Sequence, residues 1–181
     1  MKIVALLNKI AKENVKHNHS STQFVIPKHI ASDILNFSKG IHDNELYEND
    51  EEKYGREDEI HCTVLYGLTD ETPENTFKEL KKFNPFVVKL GKTSSFTTAK
   101  DYDVLKIEII SPELEKMHYY LEENLANENK FPEYKPHCTI AYLKKGEAEK
   151  YINDSRFEGM SFIINKIEFS SFNGEKVKMV I

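Results

Sequence analysis

The chain carries the hexapeptide His-Cys-Thr-Val-Leu-Tyr at residues 61–66 and a near copy, His-Cys-Thr-Ile-Ala-Tyr, at residues 137–142. Four of the six positions are identical, and the other two are apolar in both copies. In a β-strand, residues i and i+2 point to the same face of the sheet, so each copy places its histidine and its threonine side by side. The repeat therefore predicts two equivalent strands that face each other across a groove holding two imidazoles and two hydroxyl groups.

The segments around the hexapeptides predict an α+β fold. Apolar spacing, prolines and glycines divide the chain into helices and strands. The predicted helices lie at 2–16, 27–40, 73–83, 112–125 and 147–153, and the predicted strands at 23–26, 60–68, 86–90, 102–110, 137–143, 161–170 and 176–181. We expect two pseudo-symmetric lobes of antiparallel sheet flanked by helices, with a central active-site groove. Residues 1–20 are expected to form an N-terminal helical extension, and 21–181 a single bilobal domain.

Composition narrows the class of function. The 181 residues carry a net charge of −5 and a mean hydropathy of −0.57, which is typical of a globular protein with a wet surface. The apolar run Ile3–Leu7 is too short for a signal-peptide core or a membrane span, so we expect a cytoplasmic protein. No basic stripe suited to a long duplex is visible, which favours a small substrate in a pocket. The nine acidic residues between Asp43 and Glu59 predict a solvated loop or a lid.

The repeated cysteines are expected to fill the core. In a regular strand Cys62 and Cys138 point away from the face that carries His61 and His137, so neither cysteine can readily join its histidine as a metal ligand or as a nucleophile with its base. A disulfide is improbable for a chain of this size without a secretion signal. The two histidines alone are too few ligands for zinc, and we expect no metal and no cofactor.

The two imidazoles suit metal-free cleavage of a phosphodiester. One neutral imidazole would remove a proton from the attacking hydroxyl or water, and the other, as imidazolium, would protonate the leaving oxygen. Both forms exist near neutral pH because the ordinary histidine pKa is about 6.5. Thr63 and Thr139 would hold the non-bridging phosphate oxygens as charge develops. The sequence does not say which histidine is the base.

Two His-x-Thr motifs 76 residues apart make the chain resemble the two-histidine (2H) phosphoesterase superfamily. This superfamily includes bacterial 2′-5′ RNA ligase-like proteins and cyclic phosphodiesterases, and the resemblance extends over most of residues 22–181. The stretch 54–68 is similar to small members from bacteriophages, some of which are anti-CBASS proteins that cleave the cyclic di- and trinucleotide messengers of bacterial immunity. The resemblance implies that His61, Thr63, His137 and Thr139 form the catalytic tetrad and that the reaction needs no metal. The segment before residue 20 lies outside the usual family core.

Candidates for substrate contact lie beside the motifs. Tyr54 and Arg56 precede the first motif, and Lys135 precedes the second. The polar stretch 91–95 is predicted to be a turn, either a simple hairpin or a phosphate-binding loop. The chain has no Trp, so any base stacking falls to Tyr or Phe. Regular strand alternation would turn the tyrosines that end the hexapeptides, at 66 and 142, away from the histidine face.

Three functions compete at this point. The first is a viral enzyme that destroys cyclic oligonucleotide messengers. The second is an RNA-processing enzyme that acts on 2′,3′-cyclic or 2′-5′ linked ends, which a basic RNA track would support. The third is a binding protein that sequesters a nucleotide without cleaving it, which the intact histidines in both motifs disfavour. The oligomeric state is not predicted.

Overall fold

The structure is a computed structural model that describes residues 18–48, 54–97 and 100–181. The predicted helix at 2–16 and the tip of the acidic loop lie outside these residues. The described elements, in chain order, are β1 (Ser20–Val25), α1 (Lys28–Ser38), β2 (His61–Leu68), α2 (Glu74–Leu80), β3 (Phe86–Thr97), β4 (Tyr102–Ile110), α3 (Pro112–Asn124), β5 (His137–Lys144), β6 (Ser161–Ile164), β7 (Lys166–Ser170) and β8 (Lys176–Val180). None of the helices in these ranges has both the length and the apolar character needed to span a bilayer.

The strands form two four-stranded antiparallel sheets. The first sheet has the order β2-β1-β7-β8 and the second has the order β5-β4-β3-β6. The predicted α+β class with two lobes of antiparallel sheet is confirmed. The lobes are not the two halves of the sequence, however, because β7 and β8 return to complete the first sheet while β3 belongs to the second.

A strand–helix–motif strand unit occurs once in each sheet. In the first sheet β1, α1 and β2 follow one another, and in the second β4, α3 and β5 do so. The register is also repeated. Val25 lies opposite His61 and Gln23 opposite Thr63 in the first sheet. In the second, Glu108 lies opposite His137 and Lys106 opposite Thr139. The two copies of the hexapeptide therefore occupy equivalent positions in the two sheets.

The helix between β4 and the second motif illustrates how local sequence defines these units. Pro112 occupies the first turn of α3, and the Ser111 hydroxyl accepts a hydrogen bond from the Leu114 amide at 3.4 Å, as expected of an N-cap. Leu114, Met117 and Leu121 recur at helical spacing and are completely buried. Burial of each such side chain stabilises the fold by about 1.5–3 kcal/mol.

Three predicted elements differ from the structure. The predicted turn at 91–95 lies inside β3, which continues through a register shift between Leu90 and Thr93. The Thr93 hydroxyl donates to the Tyr151 carbonyl at 2.6 Å and accepts from the Asp154 amide at 2.9 Å, and these bonds hold the polar stretch extended. The predicted helix at 147–153 is a short 3₁₀ helix, Glu147–Lys150. The predicted strand at 161–170 is two strands in different sheets.

Connecting segments cover the outer edges of both motif strands. Beside β2, the Glu128 amide donates to the Gly67 carbonyl at 2.8 Å. Beside β5, the Tyr142 amide donates to the Gly55 carbonyl at 2.8 Å, and the Glu57 amide donates to the Ile140 carbonyl at 3.0 Å. Each motif strand is therefore hydrogen-bonded along both edges.

Gly67 lies where β2 packs closely against the backbone of residues 128–129, and we expect its replacement to destabilise the fold. Its φ is +88°, and a Cβ there would lie 2.8 Å from the Asn129 amide nitrogen. Gly146, with φ +85° and nothing within 4 Å of a Cβ, is the matched control. Gly146→Ala should lower the free energy of unfolding by about 1–2 kcal/mol for the left-handed backbone alone. Gly67→Ala should lower it by roughly 1–3 kcal/mol more, because the neighbouring backbone must also move.

Urea unfolding of the two variants measures this difference. An equal decrease in the free energy of unfolding for the two variants would show that segment 126–131 moves at little cost and does not stabilise β2.

Candidate active site

The structure brings the two predicted His/Thr pairs together. The motif strands β2 and β5 lie against each other where the two sheets meet. His61, Thr63, His137 and Thr139 are half-buried. The two histidines are close enough that His61 contributes to the shift in the pKa of His137. The two imidazoles and the two hydroxyls therefore lie on two strands in contact, as the predicted groove requires.

Both imidazoles are anchored in the same way. His61 Nδ1 lies 2.9 Å from the Glu59 carbonyl oxygen, and His137 Nδ1 lies 2.7 Å from the Lys135 carbonyl oxygen. A carbonyl oxygen can only accept, so each Nδ1 carries a proton and donates it. Each neutral ring therefore has its Nε2 lone pair free for proton transfer with a ligand. A bond to the residue two positions earlier fixes the ring orientation in both lobes.

The two imidazoles differ in their environment. Burial lowers the pKa of His137, and the positive charges of Lys106 and His61 lower it further. The bond to the Lys135 carbonyl opposes this shift without cancelling it. His137 is thus biased towards its neutral form, which is the form that a general base needs.

A β-bulge interrupts each motif strand one residue after its threonine, at Val64 in β2 and at Ile140 in β5. The register of β2 shifts there, so that Tyr66 lies opposite Ser21. The register of β5 shifts in the same way, so that Tyr142 lies opposite Val104. The extra residue reverses the alternation, and both tyrosines lie on the same face as the histidines. The expectation that they point away was wrong, because it assumed regular strands.

A buried aromatic pair holds the first bulge. His118 Nδ1 donates to the Val64 carbonyl at 2.6 Å, and the Tyr134 hydroxyl donates to the Thr63 carbonyl at 2.9 Å. The two rings stack with centroids 3.8 Å apart and planes 4° from parallel. His118 is 4% exposed and lies on the buried face of α3. Its contact spans 54 residues of sequence, which no local pattern reveals.

The cysteine side chains of the motif strands point into the core, as predicted. Cys62 and Cys138 are 0% exposed and form no disulfide. Burial raises the pKa of Cys62 to about 12 and also raises the pKa of Cys138. A thiol that stays protonated at neutral pH is a poor nucleophile. In the described ranges no three His, Cys, Asp or Glu side chains come together as metal ligands; that the reaction needs no metal stays a prediction.

Tyr54 lies in a cluster of four tyrosines beside the second motif strand. Its ring centroid is 4.6 Å from that of Tyr142 and 4.9 Å from that of Tyr102, and Tyr47 completes the group. Tyr142 is on the histidine face, so the cluster adjoins the groove. That Tyr54 contacts substrate stays a prediction.

Arg56 makes contacts within the protein. Its Nε donates to the Ser38 carbonyl at 2.8 Å, one terminal nitrogen donates to the Ile41 carbonyl, and the other pairs with Asp43 at 2.7 Å. These bonds tie the segment before the first motif to the end of α1. The guanidinium therefore has a structural task, and its contact with substrate stays a prediction.

Lys135 contributes to the site through its backbone, whose carbonyl orients His137. Its side chain is 59% exposed and pairs with Glu133 at 3.2 Å. Burial is the main cause that lowers the pKa of Lys106 on the neighbouring strand β4, and the positive charge of Lys135 lowers that pKa further. The predicted approach of the Lys135 ammonium to a phosphate stays a prediction.

A cavity of about 180 Å³ lies where β1 and β7 of the first sheet meet β6 of the second. Val25, the strand neighbour of His61, lines it together with Glu168 from the first sheet. Phe162 and Ile163 from the second sheet form another part of its wall. The lining of the cavity thus combines apolar side chains with the carboxylate of Glu168, which is already bonded to Gln23 at 2.9 Å.

Comparison with known proteins identifies a family and a shared fold. The sequence profile described as "Anti-CBASS protein Acb1" matches residues 47–171, which include both motifs. Among curated proteins no sequence matches the chain.

Solved structures share the fold. Usb1 of Kluyveromyces marxianus matches with a TM-score of 0.57 at 10% identity, covering 92% of this chain and 100% of that one. Escherichia coli LigT complexed with NADP+ matches with a TM-score of 0.55 at 16% identity, covering 90% and 94%. TT0787 of Thermus thermophilus matches with a TM-score of 0.53 at 14% identity, covering 90% and 94%. Identities this low establish a common fold alone.

Proposed function

The chain belongs to the family of the anti-CBASS protein Acb1, and we propose that it cleaves a phosphodiester bond in a cyclic oligonucleotide messenger, with His137 as base and His61 as acid. The predicted resemblance to 2H phosphoesterases and the predicted class, a phosphodiesterase, are confirmed by this membership. The observation that carries the proposal is the identical anchoring of the two imidazoles, each of which donates from Nδ1 to a backbone carbonyl and so keeps Nε2 for proton transfer.

The proposed reaction is an internal transfer. His137 Nε2 takes the proton of a ribose 2′-OH, whose oxygen attacks the adjacent 3′ phosphorus. The bond from phosphorus to the 5′ oxygen breaks, and the His61 imidazolium gives its proton to that oxygen. The ring opens to a linear product that ends in a 2′,3′-cyclic phosphate. Thr63 and Thr139 donate hydrogen bonds to the non-bridging oxygens, where negative charge builds in the transition state.

His118 and Tyr134 support this geometry without touching the substrate. They fix the carbonyls of Val64 and Thr63, and so they hold the backbone that carries the Thr63 side chain. Positioning of this kind favours catalysis because small displacements of reacting groups are costly.

Nucleotide binding by structural neighbours supports the substrate class. One structure of Usb1 contains uridine monophosphate, and structures of LigT contain NADP+ or ATP. In this chain Tyr66 and Tyr142 lie on the histidine face, where aromatic rings can stack on bases. Tyr54, Arg56 and Lys135 complete the proposed substrate contacts. We place the protein in the cytoplasm of a bacterium infected by the phage that encodes it.

Incubation with a panel of substrates tests the proposal. We expect purified protein to linearise cyclic di- or trinucleotides in the presence of EDTA. The variants His61→Ala and His137→Ala should each be inactive on them. The panel also includes 2′,3′-cyclic mononucleotides and 2′-5′ linked oligoadenylate, with products separated by chromatography.

Each other outcome selects a different function. Turnover only of 2′,3′-cyclic or 2′-5′ linked substrates would favour RNA processing. Tight binding of a cyclic oligonucleotide without turnover would favour sequestration. Activity that disappears in EDTA would exclude the metal-free mechanism.

A further inference from the structure

Lys106 lies on β4, beside the second motif strand. It is opposite Thr139 in the pairing of β4 with β5, and directly opposed residues project from the same face of a sheet. The Lys106 residue is only 6% exposed. A buried ammonium group therefore lies on the histidine face, next to the hydroxyl proposed to bind phosphate.

The contacts of Lys106 fix its position without neutralising it. Its Nζ donates to the Ser94 hydroxyl at 2.6 Å and lies 4.4 Å from the centre of the Phe96 ring. The same ring meets His137 edge to face with centroids 4.9 Å apart. Phe96 thus bridges the lysine and the histidine. No carboxylate of the described residues lies within ion-pair distance of this Nζ.

The equivalent position of the other lobe is different. Gln23 lies opposite Thr63 and is 5% exposed. Its amide donates to Glu168 at 2.9 Å, and Glu168 in turn lies 3.4 Å from Lys176 and 3.3 Å from Lys178. In the first lobe the buried charge is thus paired. In the second lobe no carboxylate of the described residues forms an ion pair with the ammonium, although the charge of Glu108 favours it from a greater distance. A buried charge without a close partner costs free energy.

We propose that Lys106 is a phosphate-binding residue of the groove, whose Nζ donates to a non-bridging oxygen of the substrate phosphate held by Thr139. This inference rests on the proposed function, since it names a further group of the same site. The substrate phosphate is the counter-ion that the buried ammonium lacks. Of the two equivalent positions, only that of the second lobe holds a cation, so we expect the phosphate to lie nearer to His137 than to His61.

Lys106 also acts on His137. The groups that face His137 are Lys106 and Glu108 on β4, Lys135 just before β5 and His61 on the other motif strand. Lys106 lowers the pKa of His137, in addition to the larger effect of burial. Removal of the ammonium should therefore raise this pKa and move the low-pH limb of the rate profile to higher pH.

Lys106→Met tests the proposal, because methionine keeps an unbranched chain and removes the charge. Binding of adenosine 3′-monophosphate, which cannot undergo the transfer reaction, is measured by calorimetry. We expect Lys106→Met to weaken binding at least about tenfold, as for the loss of a charged hydrogen bond. Lys116→Met removes an exposed charge from α3 and should bind as the wild type does. NMR titration should show a higher pKa for His137 in Lys106→Met alone.

Unchanged affinity in a folded Lys106→Met variant would overturn the proposal. If that variant does not fold, the wild-type protein is tested instead. The NMR signals of its Lys106 side chain must then shift on addition of adenosine 3′-monophosphate. Unshifted signals would also overturn the proposal. Failure of the proposed function gives a different result, because the wild-type protein would then cleave no substrate in the panel. Comparison of the affinities of the wild type and Lys106→Met for adenosine 3′-monophosphate would still decide whether Lys106 binds phosphate.

Discussion

Alanine at His137 or at His61 is expected to lower kcat by about 10²- to 10⁴-fold, which is the usual contribution of a positioned acid or base. The loss should appear in kcat rather than in substrate affinity, because both rings act on protons that move only during the reaction. The rings are only half-buried, so the variants should fold. Single-turnover kinetics on the substrate identified in the panel measures the effect, with circular dichroism as the control for folding.

A substrate with sulfur in place of the bridging 5′ oxygen separates the two roles. A thiolate leaves without a proton, so this substrate does not need the general acid. His61→Ala should recover most of its lost rate on it, whereas His137→Ala should stay inactive because the 2′-OH still needs a base. Recovery by His137→Ala and not by His61→Ala would mean that the roles are reversed, and equal recovery would count against paired acid–base catalysis.

Valine at Thr63 or at Thr139 should be the next most damaging change, with kcat lowered by about 10²- to 10³-fold, as for the loss of one donor to a developing negative charge. Valine copies the shape of threonine and removes the hydroxyl. Serine keeps the hydroxyl and is the matched control at each position, where activity should stay within a few-fold of the wild type. Steady-state kinetics on the four variants measures the effect.

An increase in KM with unchanged kcat in the valine variants would contradict the prediction. It would mean that the hydroxyls bind the substrate and the transition state equally well. A serine variant as inactive as its valine counterpart would also contradict it, because the threonine methyl group, and not the hydroxyl, would then be essential.

The repeated hexapeptides were sufficient to predict the centre of the fold and of the site. Their alternation placed His61 and Thr63 on one face and Cys62 in the core, and the structure agrees. The hairpin between β7 and β8 likewise has a local signal, because it contains the Asn-Gly pair typical of tight turns, and Gly174 adopts φ +87° there. These features depend on neighbours in sequence, which is why the sequence reveals them.

Features that depend on partners distant in sequence were missed. The bulges at Val64 and Ile140 reverse the direction of the tyrosines that follow, and the groups that hold these carbonyls lie 54 and 83 residues away, at His118 and Glu57. The assignment of β7 and β8 to the first sheet likewise depends on long-range pairing with β1. Lys106 left a detectable signal, because a lysine stands between the apolar residues Leu105 and Ile107 of a mostly buried strand.

The covered edges of the motif strands also bear on how molecules associate with each other. A strand with unpaired backbone groups invites strand addition from another molecule, but the outer edges of β2 and β5 are already hydrogen-bonded to connecting segments. The outermost strands at the opposite ends of the described sheets are β6 and β8, which expose Ile163 and Val180. Edge-to-edge association in a concentrated solution would therefore extend the sheets at β6 or β8, away from the two strands that carry the histidines.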